Sequence, residues 1–461
     1  VVGDSFISSA KDLSSQYTKN MVPVPAQNSL TNTAALYSFP GLKLWSSGAA
    51  GEFDRGIHRK PFLANAWKVS GSTLYKIDST GAQTNEGVIA GSGLVSMADN
   101  GNVLFIVGGG TAYTHDGTTL TTLSLSFTPD QVDYLNERFV VLDTAGRVHL
   151  SDVGATTFGT EIPFEAKSNS DLTRGIKVFD QFLFVAGEST FEPWQDIGSG
   201  NPPFARINGV IIESTGLANK NAICGTSQAL YFLGNDKIPY RIVSFQARDI
   251  AENNPGITTL FETYTKETAY VQCTKVHGQD VVMFVFPTEG KTWCFSEETS
   301  LWFELDYHID GQLYLGKTFA WLFNKILVGD RFGGNIYELD VDTYQDNSVT
   351  RVRERVFRPM AGETLGAPRA NLQMKCLQFA VNTGVGVSDD NPQMEVSIST
   401  DGGRNFGSSK FLSLGEVGDY IKNVDYYSNA KFKDLTVKIR YTENTAFDVY
   451  DSAIWVREAG R

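Results

Sequence analysis

The sequence contains no G-x-S-x-G elbow, no H-E-x-x-H helix and no G-x-x-x-x-G-K-[ST] phosphate loop. A hydrolase needs a nucleophile, a base and something to stabilise developing charge, and no stretch brings these together. The sequence therefore assigns no catalytic residue, no cofactor and no metal ligand, and the chain reads as a non-enzyme. Histidine is scarce: His58, His115, His149, His277 and His308 are scattered without paired spacing. The four cysteines, Cys224, Cys273, Cys294 and Cys376, form no C-x-x-C pair. That spacing speaks against zinc and predicts buried free thiols, as in a protein assembled in reducing cytoplasm. Asp340, Asp342 and Asp346 are dense enough to suggest calcium. Tyr344 stands where another oxygen ligand is needed and no bidentate Glu follows, so a solvated acidic loop is expected.

Long apolar runs are also missing. The longest strongly apolar stretch is residues 281–286, far too short to cross a bilayer as a helix. The first residues have neither the basic nor the apolar region of a secretion signal. No run of Lys or Arg stands out, and the net charge is −13. Such a chain repels nucleic acid as a whole, which excludes tight, sequence-reading DNA binding. It remains compatible with a conduit through which DNA slides. No long amphipathic helix is evident. What is abundant is glycine, at 44 residues, and aromatics, at 12%. Both suit many short strands joined by tight turns, an all-β chain.

Three regions follow from the texture. Residues 1–50 are polar and irregular, an extended segment expected to pack on another domain or subunit. Residues 51–345 repeat a unit of apolar strand, Gly or Asp turn and second strand. Instances are residues 103–107 with 112–116, 139–143 with 147–151, 281–286 with 292–295, and 325–329 with 335–339. A spacing of roughly 30 to 50 residues is that of a four-stranded propeller blade. The pattern predicts a β-propeller, six blades favoured and seven possible, without a WD or kelch signature. Residues 346–461 read as a C-terminal β-sandwich or platform domain. It is introduced by the basic stretch 351–359, for which a solvated edge strand or linker is expected.

Within that last region, Met394, Val396 and Ile398 alternate with Glu395, Ser397 and Ser399, the period of a half-buried strand. Asp401-Gly402-Gly403 follows. The carboxylate can accept from nearby backbone N–H groups and glycine tolerates the positive φ of a tight turn. A second strand begins near Lys410. Asp401 is expected to brace the hairpin, Gly402 and Gly403 to permit its backbone, and Phe406 to anchor it in the sandwich.

Residues 399–406 resemble the Asp-box of sialidase-type propellers, with Asn405 where Thr is usual and Phe406 replacing Trp. An Asp-box is a hairpin device remote from catalysis, so it implies no activity by itself. The longer pattern, the DGG turn followed by Leu414-Gly415, Gly418 and Tyr420, more closely resembles the end of the tail hub, or packaged-DNA stabilisation, proteins of short-tailed phages. Asn20-Met21-Val22-Pro23, residues 37–41, 55–58, 69–75, 97–101 and 182–194, Leu327-Val328-Gly329-Asp330 and residues 382–386 resemble that family in the same order. Phe406, where Trp is common, and Lys422, where Arg is frequent, depart from it. The resemblance implies a virion tail protein assembled in the host bacterial cytoplasm. It implies a homo-hexameric nozzle below the portal and its adaptor ring, surrounding the DNA exit channel, retaining the packaged genome and docking tail fibres, spikes or a plug. Genomic dsDNA would pass without sequence-specific binding. The competing readings are a glycan-binding or sialidase-like propeller and a receptor-binding tail component.

Overall fold

The structure, a computed structural model, describes the chain except residues 1–2, 4, 6–15, 26–33, 60–64, 167–170, 214, 309–311, 363–364, 366–370, 386–390 and 460–461. The apolar hairpins become meandering antiparallel sheets. In blade 1 the strands Asp54–Arg59, Ala66–Ser70, Thr73–Ile77 and Gln83–Val88 pair in chain order. Its second strand is buried throughout and its fourth is largely open. Burial thus falls from the middle of the blade to its rim. The same gradient recurs in blade 2, where Leu104–Gly108 is wholly buried and Leu120–Leu123 is not.

Seven such sheets follow one another among the described residues, where the spacing of the hairpins favoured six. Their first strands are Asp54–Arg59, Ser96–Asp99, Pro129–Leu135, Gly175–Phe179, Ile223–Gly225, Tyr270–Val276 and Gly316–Leu322. Each of these inner strands touches the next, and the last touches the first. The ring is closed by a distant piece of chain: Gly41–Ser46 forms the outer strand of blade 7, antiparallel to Ile336–Asp340. Blade 7 is thereby built from both ends of the repeat region: its hairpin at 325–339 reads as a repeat in the sequence, and its outer strand does not.

Residues 17–25 and 34–46 are built into the sheets of the fold. Tyr17–Lys19 continues blade 6, pairing parallel with Leu301–Leu305 on one side and antiparallel with Arg353–Val356 on the other. From Arg353–Val356 the same sheet runs on through Asp434–Tyr441, Gln393–Ser399 and Lys410–Ser413. A second sheet, Met21–Pro25, Ala34–Ser38, Val449–Glu458, Leu372–Val381 and Val424–Tyr427, faces it. Met374, Phe379, Val396, Leu435 and Ile439 fill the space between the two. One sheet is therefore shared by propeller and sandwich. A short helix, Pro255–Glu262, starts on proline and buries Ile257 and Phe261 beside Trp302 and Phe284.

Three expectations are corrected. Arg351, Arg353 and Arg355 are fully buried, not solvated. Their strand alternates with arginines inward and lies in mid-sheet, so the guanidinium groups meet backbone carbonyls rather than water. Asp346 is also buried, paired with Arg351 at 3.3 Å, rather than part of a solvated loop. Cys224 and Cys273 are joined in a disulfide, leaving Cys294 and Cys376 as free thiols. The two partners are 49 residues apart, about one blade of chain, and sit on the adjacent inner strands of blades 5 and 6.

Candidate functional site: the propeller axis and the C-terminal hairpin

The inner strands run along the ring axis, and three cavities follow one another beside them. Lys317, Tyr270 and Asn221, near the starts of the strands of blades 7, 6 and 5, line one of about 380 Å³. Further along, Phe319, Val271 and Ile223 line a second of about 360 Å³, reaching blades 1 to 4 as well. At the far ends, Trp321, Lys275 and Ser227 line a third of about 460 Å³.

Charged groups on this axis are tied to neighbouring blades. His58 Nε2 lies 2.7 Å from Asp99 Oδ2, joining blades 1 and 2. Lys177 Nζ reaches Asp133 Oδ2 at 3.1 Å, joining blades 3 and 4. Gln131 accepts from Ile176 N and donates to Lys220 O. Arg55 donates to the carbonyls of Gly71, Ile89, Ala90 and Gly93. A carboxylate-binding arginine cluster of sialidase type is absent from the described residues of the axis, since Arg55 and Arg331 are both committed to carbonyls. Burial pulls the Lys317 ammonium down to about 8, against the opposing pull of Asp54. Among the described residues no group of three metal-ligating side chains occurs, and no helix is long and apolar enough to cross a membrane.

A second polar centre, which the sequence did not reveal, holds propeller and sandwich together. Arg351 donates to the carbonyls of Phe39 and Pro40. Arg353 donates to Thr445 O at 2.7 Å, to Glu443 O and to Ser38 Oγ, with its guanidinium 4.8 Å from the Tyr441 ring. Arg355 donates to Thr18 Oγ1 and Gln16 Oε1. Burial, with the charge of Arg351 next in size, pulls the Arg353 guanidinium down to about 9. Across the same seam Lys19 pairs with Asp306 at 2.8 Å, and Asn20 donates to Asp306 Oδ1 and Val352 O. The every-second-residue spacing of Arg351, Arg353 and Arg355 was the available signal.

The hairpin residues fall into two groups. Asp401 Oδ1 accepts from the backbone N–H of Arg404 and Asn405, and Oδ2 accepts from the Asn405 side chain at 2.8 Å. With the Ser399 hydroxyl these hydrogen bonds hold its carboxyl well below the usual carboxylate range. Gly402 and Gly403 have φ of 74° and 85°. Phe406 is half-buried with the Lys438 ammonium 4.6 Å from its ring, outside the apolar core between the sheets. Gly415 and Gly418 also take positive φ and belong to a loop pinned at Gly384, whose N–H donates to Leu414 O and whose carbonyl accepts from Gly418. Beyond that anchor the loop faces outward: Tyr420 is 68% exposed and Ile421 95%. Phe411 and Tyr427, on the edge strands of the two sheets, are exposed on opposite outer faces of the sandwich. The hairpin is thus a braced turn, and the loop after it carries two exposed apolar side chains.

Solved structures similar to the chain include a computationally designed protein, Ika8, at 10% identity and a TM-score of 0.40, covering 73% of this chain and 100% of that one. YCF48 bound to D1 peptide matches at 10% identity and a TM-score of 0.42, covering 66% and 98%. The WD40 β-propeller domain of Doa1 matches at 11% and 0.42, covering 65% and 97%. No curated protein matches the chain in sequence. A protein-family model described as "Bacteriophage P22 Gp10, beta-propeller" matches residues 1–344.

Proposed function

Since the chain belongs to the phage packaged-DNA stabilisation family of P22 Gp10 β-propellers, we propose that this phage structural protein is the hub of a short tail. The family match over residues 1–344 carries the reading. Six copies form a ring below the portal and its adaptor ring, the genome leaves through its centre, and fibres, spikes or a plug dock on its outside. The protein acts as a scaffold rather than as an enzyme, in a virion tail assembled in the host cytoplasm.

Two physical features support this. The first is the division of charge. Residues 346–461 contain 15 basic and 15 acidic side chains, so the whole net charge of −13 lies in residues 1–345. A neutral sandwich can meet its copy without like-charge repulsion, while an acidic propeller does not adhere to passing DNA through phosphate contacts. The second is the apolar patch of Tyr420 and Ile421, on an outward-facing loop and open in the single chain. Patches of this kind mark protein–protein contacts, and a ring needs a heterologous, head-to-tail one.

Native mass spectrometry of the purified protein with its adaptor ring tests the reading. The unaltered chain is expected to enter a sixfold complex, and the double substitution Tyr420→Asp, Ile421→Asp to remain monomeric with unchanged thermal unfolding. A double variant that still enters the complex removes this surface from the subunit contact. An unaltered chain that stays monomeric beside its adaptor overturns the hub.

A further inference from the structure

We infer that the cavity at the far end of the propeller axis, between the inner strands of blades 5, 6 and 7, is a binding site for a neutral pyranose sugar. Its volume of about 460 Å³ is within the roughly 300–1,000 Å³ common to small-molecule sites. One wall is apolar, made by Phe319, Ala320, Ile326 and the indole of Trp321. Trp321 lies near the end of its strand, opposite Ile326 across the hairpin, and half of its surface is open. A tryptophan left half-open at the mouth of a cavity offers a flat, rigid, apolar face. The axial C–H groups of a pyranose match that face.

The opposite wall is polar. Asp280 is largely buried, accepts from Ser227 Oγ at 3.0 Å and faces Lys275 Nζ at 3.8 Å. A carboxylate with a hydroxyl on one oxygen and an ammonium near the other still has lone pairs to accept from two vicinal sugar hydroxyls. The same arrangement disfavours two other occupants. A nucleotide could stack on the indole, but its phosphates require cations, and Lys275 is the single cationic lining residue and is already opposed by Asp280. An anionic sugar meets the same obstacle. A neutral ring with one hydroxyl-bearing edge fits both walls, and the site does not depend on whether the chain forms a ring.

Saturation-transfer NMR and tryptophan fluorescence on the full chain test the assignment. The probes are glucose, galactose, N-acetylglucosamine, and the disaccharides lactose and chitobiose, with AMP as the stacking control. At least one neutral sugar is expected to bind saturably, with a dissociation constant near 1 mM, on the order of −4 kcal/mol. Trp321→Ala should abolish the signal and Asp280→Asn weaken it at least tenfold. Trp455→Ala, which removes an exposed tryptophan of the sandwich, should leave it intact. Thermal unfolding of each variant checks folding, and Trp321→Phe, which retains an aromatic face, should retain binding. No binding by any sugar of the panel overturns the proposal, as does sugar binding that survives Trp321→Ala or binding of AMP alone.

Discussion

At the scale of single residues, the contrast between Asp401 and Arg353 shows what a sequence exposes and what it conceals. Asp401 works within four residues of itself, so its turn was legible: the acceptors and donors of the brace are neighbours in the chain. Because its folded carboxyl titrates below the unfolded one, the brace is fully present above about pH 3.9 and is lost as the pH falls toward the lowered value. Asp401→Asn should therefore lower the unfolding temperature at pH 7, and the difference from the unaltered protein should shrink as the medium is made acidic. A difference that stays constant with pH would show that the charge plays no part. Arg353 was misread because a run of arginines ordinarily means a wet surface, whereas its partners, Ser38, Glu443 and Thr445, come from both ends of the chain. Arg353→Met leaves the carbonyls of Glu443 and Thr445 without this donor, at about 1–3 kcal/mol for each group left unsatisfied. Urea unfolding should show a loss of at least about 2 kcal/mol. A loss below that would mean that water replaces the guanidinium in the seam.

At the scale of elements, period-two alternation exposed the hairpins, and the all-β propeller with it, because each strand's burial is decided by its own blade. The blade count and the disulfide were hidden for different reasons. Gly41–Ser46 completes blade 7 from far along the chain, whereas the disulfide needs two cysteines to face each other on the inner strands of successive blades, which their spacing alone does not reveal. Cys224 and Cys273 have Cα atoms 6.2 Å apart although they are 49 residues distant in the chain. Linking residues so far apart stabilises by about 2–4 kcal/mol, chiefly by restricting the unfolded chain. Cys224→Ser, or reduction of the unaltered protein, should lower the unfolding temperature to a similar extent, while reduction of the variant should change nothing more. Free thiol counts that stay at four in the oxidised protein would contradict the link. The C-terminal loop was half legible: its glycines announced a turn, but only the anchor at Gly384 shows why Tyr420 and Ile421 face outward.

At the scale of the whole molecule, the shared sheet is the feature that suits the proposed role. Blade 6 passes through Tyr17–Lys19 into the sandwich, so a force on the sandwich reaches the propeller through hydrogen-bonded strands and the buried arginines rather than through a flexible linker. A hub that must hold a pressurised genome needs that rigidity, and the acidic propeller beside a neutral sandwich needs an arrangement in which the two meet different surroundings. Electron microscopy of the purified protein assembled with its adaptor ring tests this most directly. The expected result is a sixfold ring with an open centre that admits duplex DNA and with the loop of Tyr420 and Ile421 at the contacts between copies. Class averages showing only separate single chains, or a closed centre in every ring, would contradict the hub.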